Sequence, residues 1–175
     1  MSSYDAAAYV DRGVHYSNLG QDERAIQCYD QAIELNPNLS LAYYNRGNVY
    51  AKSGQYERAI QDFTKAIKLD PDFDMAYNNR GRAYSYLGQY DRAIQDFNEA
   101  IKSYPSYAEA YRNRGAAYHN LGQYELAIQD YSKAIEINPN YTNAYNNRGN
   151  VYRMLGNMRA ANADFAKAIE IDYGF

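Results

Sequence analysis

The 175-residue chain has no tryptophan, one cysteine, two histidines and four prolines. The lone Cys28 excludes an internal disulfide and suits a reducing compartment, so a cytoplasmic location is expected. His15, His119 and Cys28 lie far apart in the chain, and neither a metal nor another cofactor is expected. No Ser/His/Asp grouping stands out and no Gly-rich phosphate loop is present, so the chain does not read as an enzyme. No stretch approaches the ~18 apolar residues of a membrane helix. The opening MSSYDAAAYV has neither the charged start nor the apolar run of a signal peptide. A net charge of −3 and a pI near 5.4 argue against nucleic acid as the main partner.

What is present is repetition. The stretch from Ala108 to Tyr141 recurs, lightly edited, over 6–39, 40–73 and 74–107, and again over 142–175. The period is 34 residues without an insertion. Self-similarity at that spacing is the signature of stacked helical units, so one all-α solenoid spanning 1–175 is expected. In a frame of positions 1–34 the first half carries apolar or small residues at 3, 4, 8 and 11, one helical face. Gly stands at 15 in every copy and closes this helix. The second half carries Ala at 20, an aromatic at 24, Ala at 27 and Ile at 28. Pro37, Pro71, Pro105 and Pro139, the only prolines, all fall at position 32 and end the second helix. Gly at 8 (Gly13, Gly47, Gly81, Gly115, Gly149) costs about 1 kcal/mol mid-helix. Its recurrence predicts a close helix–helix approach opposite Ala at 20.

Aromatic at 4, Gly at 8, Tyr at 11, Ala at 20, aromatic at 24, Ala at 27 and Pro at 32 resemble the tetratricopeptide repeat. The resemblance covers Ala6 to about Asp172, and the fifth copy departs from it by Tyr173 in place of Pro. It implies an antiparallel helix pair per repeat and a right-handed superhelix. The first helices would line a concave face, where family members bind partner peptides.

Positions 2, 5, 6, 9, 12 and 13 remain for that face. Position 6 is Asn45, Asn79, Asn113 and Asn147, with Asp11 in the first copy. An Asn amide both donates and accepts, so a row of them suits the backbone of an extended peptide. The remaining positions vary as specificity positions should: Tyr44, Asn48 and Lys52; Asn78, Arg82 and Tyr86; Arg112 and His119, with Glu109 the one acid; Asn146, Asn150 and Arg153. Lys52, Arg82, Arg112 and Arg153 are expected to select acidic side chains or a terminal carboxylate, and Tyr44 and Tyr86 to give apolar contact. A strict carboxylate clamp, as in chaperone-binding members, is not expected, because Tyr44, Glu109 and Asn113 stand where it needs basic residues.

Positions 16–31 hold 16 acids and 9 bases; the rest of the chain holds 5 and 9. Acidic second helices and basic first helices favour a protein or peptide partner that is acidic or carboxylate-bearing. Five of those nine bases are the Arg at position 7, on the packing stripe. Asp62, Asp96, Asp130 and Asp164 at position 23, with Cys28 in the first copy, are its expected partners in a structural Arg–Asp ladder. The rival class is a passive or self-associating array, designed, recently duplicated or part of a longer chain. In it the last helix, with no capping helix after Phe175, stacks end to end on another copy.

Overall fold

The computed structural model describes residues 3–174, which form ten helices and no strand. They are α1 (Ser3–Asn18), α2 (Asp22–Leu35), α3 (Ser40–Lys52), α4 (Tyr56–Leu69), α5 (Asp74–Tyr86), α6 (Tyr90–Ser103), α7 (Ala108–Asn120), α8 (Tyr124–Ile137), α9 (Thr142–Met154) and α10 (Met158–Tyr173). Two compact units result, Met1–Gly88 with α1–α5 and Gln89–Phe175 with α6–α10. Their boundary falls inside the third repeat. Within the first unit α1 packs on α2 and α3 on α4, with α2 against α3 and α4 against α5. Within the second, α7 packs on α8 and α9 on α10, with α6 against α7 and α8 against α9.

The turn chemistry follows from position 15. Gly54 has φ +74°, where a side chain would be strained. Its N–H donates to Ala51 O at 3.1 Å, and Gln55 N–H to Tyr50 O at 2.8 Å. That pair of bonds satisfies the last carbonyls of α3. The same two bonds recur after α1 and α7, on Ser17 and Tyr16 and on His119 and Tyr118. At the other end of α4, Asp70 is extended (φ −136°, ψ 92°), as the residue before Pro71 should be.

Each pair is sealed by small residues around one ring. In the second repeat Ala42, Ala59, Phe63 and Ala66 are fully buried. The predicted partner of the mid-helix Gly needs correction. A Cβ on Gly47 would lie 2.8 Å from Phe63 Cε1, so Gly faces the ring at 24, not Ala at 20. Gly13, Gly115 and Gly149 likewise face Tyr29, Tyr131 and Phe165. The apolar stripe is also shifted. Position 10 (Val49, Ala83, Ala117, Val151) is buried, while the Tyr at 11 is only half-buried.

That half-burial has a purpose, because the rings at 4 and 11 flank the Arg at 7. Arg46 Cζ lies 5.7 Å from the Tyr43 ring centroid and 6.0 Å from Tyr50. Its Nε and Nη2 donate to both oxygens of Asp62 at 2.8 and 2.7 Å. Arg114 grips Asp130, and Arg148 grips Asp164, in the same two-pronged way at 2.7–2.8 Å. The expected ladder is therefore present in these repeats, and it reaches further than expected. The third nitrogen, Nη1, crosses to position 25 of the preceding repeat: Asp30 for Arg46, Thr64 for Arg80, Asn98 for Arg114 and Ser132 for Arg148. The hydrogen bond and charge of Asp62 hold Arg46 above its ordinary pKa against the opposing cost of burial, with Asp30 adding to the effect.

Candidate functional site

In the first unit, α3 and α5 present the same repeat positions side by side, and α4 adds one residue. The result is an open cleft of about 500 Å³ lined by Asn48, Lys52, Tyr56, Asn79, Arg82 and Tyr86. Five of these were predicted. Tyr56, at the start of α4, lies outside the first-helix positions that the repeat spacing assigns to the groove. It stacks on Tyr86, rings 4.7 Å apart and 8° from parallel, and Tyr86 keeps 64% of its surface exposed. The two rings offer a flat apolar wall beside two cations.

The amides are already organised. Asn79 Nδ2 donates to Asn48 Oδ1 at 2.8 Å and to the Tyr44 hydroxyl at 3.2 Å. Asn79 Oδ1 accepts from Asn78 Nδ2 at 3.3 Å. Asn78 is fully buried, so it supports Asn79 from behind rather than facing a ligand; the expectation of a groove role for its side chain is corrected. Tyr44 is likewise occupied. Its ring lies 4.7 Å from Phe73 and 6.0 Å from Phe63, and only its hydroxyl reaches the network. The Lys52 ammonium pairs with Asp22 of α2 at 3.1 Å, leaving the Lys 57% exposed. A ligand carboxylate would compete with Asp22 for it.

The four Asn at position 6 do not form one uniform row. Asn79 is bonded as above and Asn113 is buried, 6% exposed. Asn45 and Asn147 are half-buried and make no side-chain hydrogen bond among the described residues.

In the second unit the same positions are filled differently. His119 Nε2 lies 3.3 Å from Met154 Sδ, and its ring is 5.8 Å from that of Tyr124. Arg153 donates to Asn150 Oδ1 at 3.0 Å and lies over the Phe165 ring. Arg112 Nε donates to the Tyr141 hydroxyl at 3.3 Å, and Asn146 is half-buried. Arg153 and Arg112 are thus each engaged by a neutral group at those bonds.

The helix-pair geometry and its Gly, Ala and aromatic positions identify the repeat. Models described as tetratricopeptide repeat match residues 40–73, 78–142 and 131–170, and one described as TPR repeat matches 13–54. The chain belongs to the tetratricopeptide-repeat family. No curated protein sequence matches it. Among solved structures it is similar to MamA at 29% identity, covering 98% of this chain and 93% of that one, with a TM-score of 0.85. A structure of MamA from Desulfovibrio magneticus gives 25% identity, 97% and 96% coverage and a TM-score of 0.88. YrrB, a tetratricopeptide-repeat protein with an unusual peptide-binding site, gives 28% identity, 95% and 86% coverage and a TM-score of 0.77. Tetratricopeptide repeats and these neighbours support a protein–protein interaction scaffold. No helix among the described residues is long and apolar enough to cross a membrane.

Proposed function

We propose that this tetratricopeptide-repeat scaffold binds an extended acidic peptide segment, with the cleft between α3 and α5 as a principal contact. The observation that carries this is the cleft's lining: two cations, two stacked tyrosines and a pre-bonded amide pair, with no carboxylate among the lining residues. Asn79 and Asn48 use their remaining lone pairs and N–H groups on the peptide backbone. Arg82 and Lys52 attract its acidic side chains, and Tyr56 and Tyr86 cover an apolar one. Asn45 and Asn147, together with Arg112, His119, Asn146, Asn150 and Arg153, extend peptide contact along their own helices. The peptide-binding site named for YrrB supports this assignment for a chain of 28% identity.

The test is retention of a mixed library of acidic peptides by the intact chain, compared with a library in which Gln replaces Glu and Asn replaces Asp. Selective retention of the acidic library, weakened in Asn79→Ala/Arg82→Ala, supports the assignment. Equal retention of both libraries, or no loss in the double variant, refutes it.

A second assignment has its own observation. Ile169 on α10 is 53% exposed whereas the equivalent Ile67 is 9% exposed, and Met158 and Tyr173 on the same helix are also exposed. Self-association through this face would appear as growth of the sedimentation coefficient with protein concentration that does not weaken as salt rises.

A further inference from the structure

The first repeat breaks a rule that later repeats keep. In the second, fourth and fifth, the Arg at 7 closes a two-pronged bond on an Asp at 23 at 2.7–2.8 Å. In the first, Arg12 stands at 7 but Cys28 stands at 23. Arg12 lies over the Tyr9 ring, Cζ 5.3 Å from its centroid, as its counterparts lie over theirs. Among the described residues it makes no hydrogen bond or ion pair.

A thiol cannot take the carboxylate's role. Burial pushes the Cys28 pKa up despite the opposing charge of Arg12, so the sulfur stays neutral near pH 7. Nor does it fill the carboxylate's space. A pocket of about 440 Å³ stands there, lined by Tyr9, Arg12, Tyr16, Arg24, Gln27, Cys28 and Gln31. Every polar group of that lining except the thiol is a donor or carries one, two are guanidiniums, and none is a carboxylate. Arg24 lies over the Tyr16 ring at 5.6 Å and donates one N–H to Gln21. The nearby acids lie outside the pocket: Glu34 accepts from Gln31, and Asp5 lines the adjoining cleft beyond Tyr9 and Arg12.

We propose that this pocket between α1 and α2 is a second binding site, which takes an aspartate or glutamate side chain from a partner peptide. That carboxylate completes on Arg12 the two-pronged bond that Asp62, Asp130 and Asp164 complete within their own repeats. Arg24 and the Gln27 amide supply further donors. Such planar pairing is geometrically selective as well as strong. The site shares no residue with the α3–α5 cleft, so it gives the scaffold a separate contact for an acidic partner.

The test uses the whole ¹⁵N-labelled chain and a capped hexapeptide with one central Glu, with its Gln counterpart and acetate as controls. The Arg12 Nε–H resonance and the backbone amides of Cys28 and Gln31 are followed. The Glu peptide shifts them saturably and the Gln peptide does not. Cys28→Asp, which installs the missing internal carboxylate, weakens that binding roughly tenfold or more. Asn79→Ala/Arg82→Ala leaves the response at these three residues unchanged. If Cys28→Asp does not fold, Arg12→Gln decides by loss of the Cys28 and Gln31 shifts. Unmoved resonances in the wild type, or an undiminished response in either variant, overturn the proposal. Acetate acting as strongly as the Glu peptide overturns its assignment to a peptide side chain.

Discussion

The Arg–Asp rungs and the α3–α5 cleft are built from the same residue types, arginine, tyrosine and asparagine or aspartate, with opposite outcomes. In the rung, Arg46 sits between two tyrosines with every donor face answered: Asp62 on one side and Asp30 on the other. In the cleft, Arg82 and Tyr86 are exposed, and Lys52 pairs with Asp22 at the surface. The rung recurs in the second, fourth and fifth repeats, whereas the cleft's cations, Lys52 and Arg82, stand at positions filled by other residue types elsewhere. Whatever holds helices together must recur at every interface, whereas a contact for a partner has no reason to. An arginine answered by the Asp of its own repeat therefore marks structure here, and a cation without that Asp marks a candidate contact.

Breaking the rung should give the largest effect. Arg46→Ala leaves the buried Asp62 without its counter-charge, which should cost about 2–4 kcal/mol, since removing one partner of a fully buried pair costs ~3–5 and this guanidinium keeps some exposure. Arg12→Ala removes an arginine of the same repeat position that has no internal carboxylate, and should cost under about 1 kcal/mol. Urea unfolding of both variants measures the contrast; equal losses would mean that the carboxylate is not what gives the rung its strength.

Next in size is packing. Gly47→Leu places atoms into the Phe63 ring and 3.2 Å from Asp62 Cβ, where neither neighbour is free to retreat. An overpacking loss of about 1–3 kcal/mol is expected in the same assay. The leucine points at the rung, so the variant should also lower the Arg46–Asp62 coupling measured by a double-mutant cycle.

Alkaline stability sharpens the comparison further. Burial, with the neighbouring Cys28 adding to it, raises Tyr29 from 10 to about 12. A folded-state pKa above the unfolded one means that this stabilisation is complete below pH 10 and is lost as the pH climbs towards 12. Tyr29→Phe should flatten the fall in melting temperature across that window.

The smallest effects belong to the cleft. Asp22→Asn frees Lys52 and should tighten acidic-peptide binding by roughly 2- to 5-fold at low salt, on the order of one exposed ion pair. The gain should shrink in 0.5 M salt, where screening is strong. A tightening that persists at high salt would detach Asp22 from the electrostatics of the site.

The sequence made the helices legible because the period, the Gly at 15 and the Pro at 32 all agree. It also made the rung legible, since Arg at 7 and Asp at 23 recur together. The crossing bond to position 25 was hidden because its acceptor changes from Asp30 to Thr64, Asn98 and Ser132, four residue types that share only an oxygen. The cleft's α3 and α5 residues followed from the 34-residue register. Tyr56 and Asp22 did not, because both reach the site from second helices, outside the first-helix face. Asn78 and Asn79 adjoin in sequence and looked alike; a 100° turn of the helix buries one and leaves the other at the cleft.

The most direct measurement is paramagnetic broadening by a spin-labelled acidic peptide bound to the ¹⁵N-labelled chain. The proposed function predicts that the side-chain amides of Asn48 and Asn79, the adjoining amide of Asn78 and the Arg82 Nε–H broaden first. Broadening confined to α10, or none at saturating peptide, would contradict it.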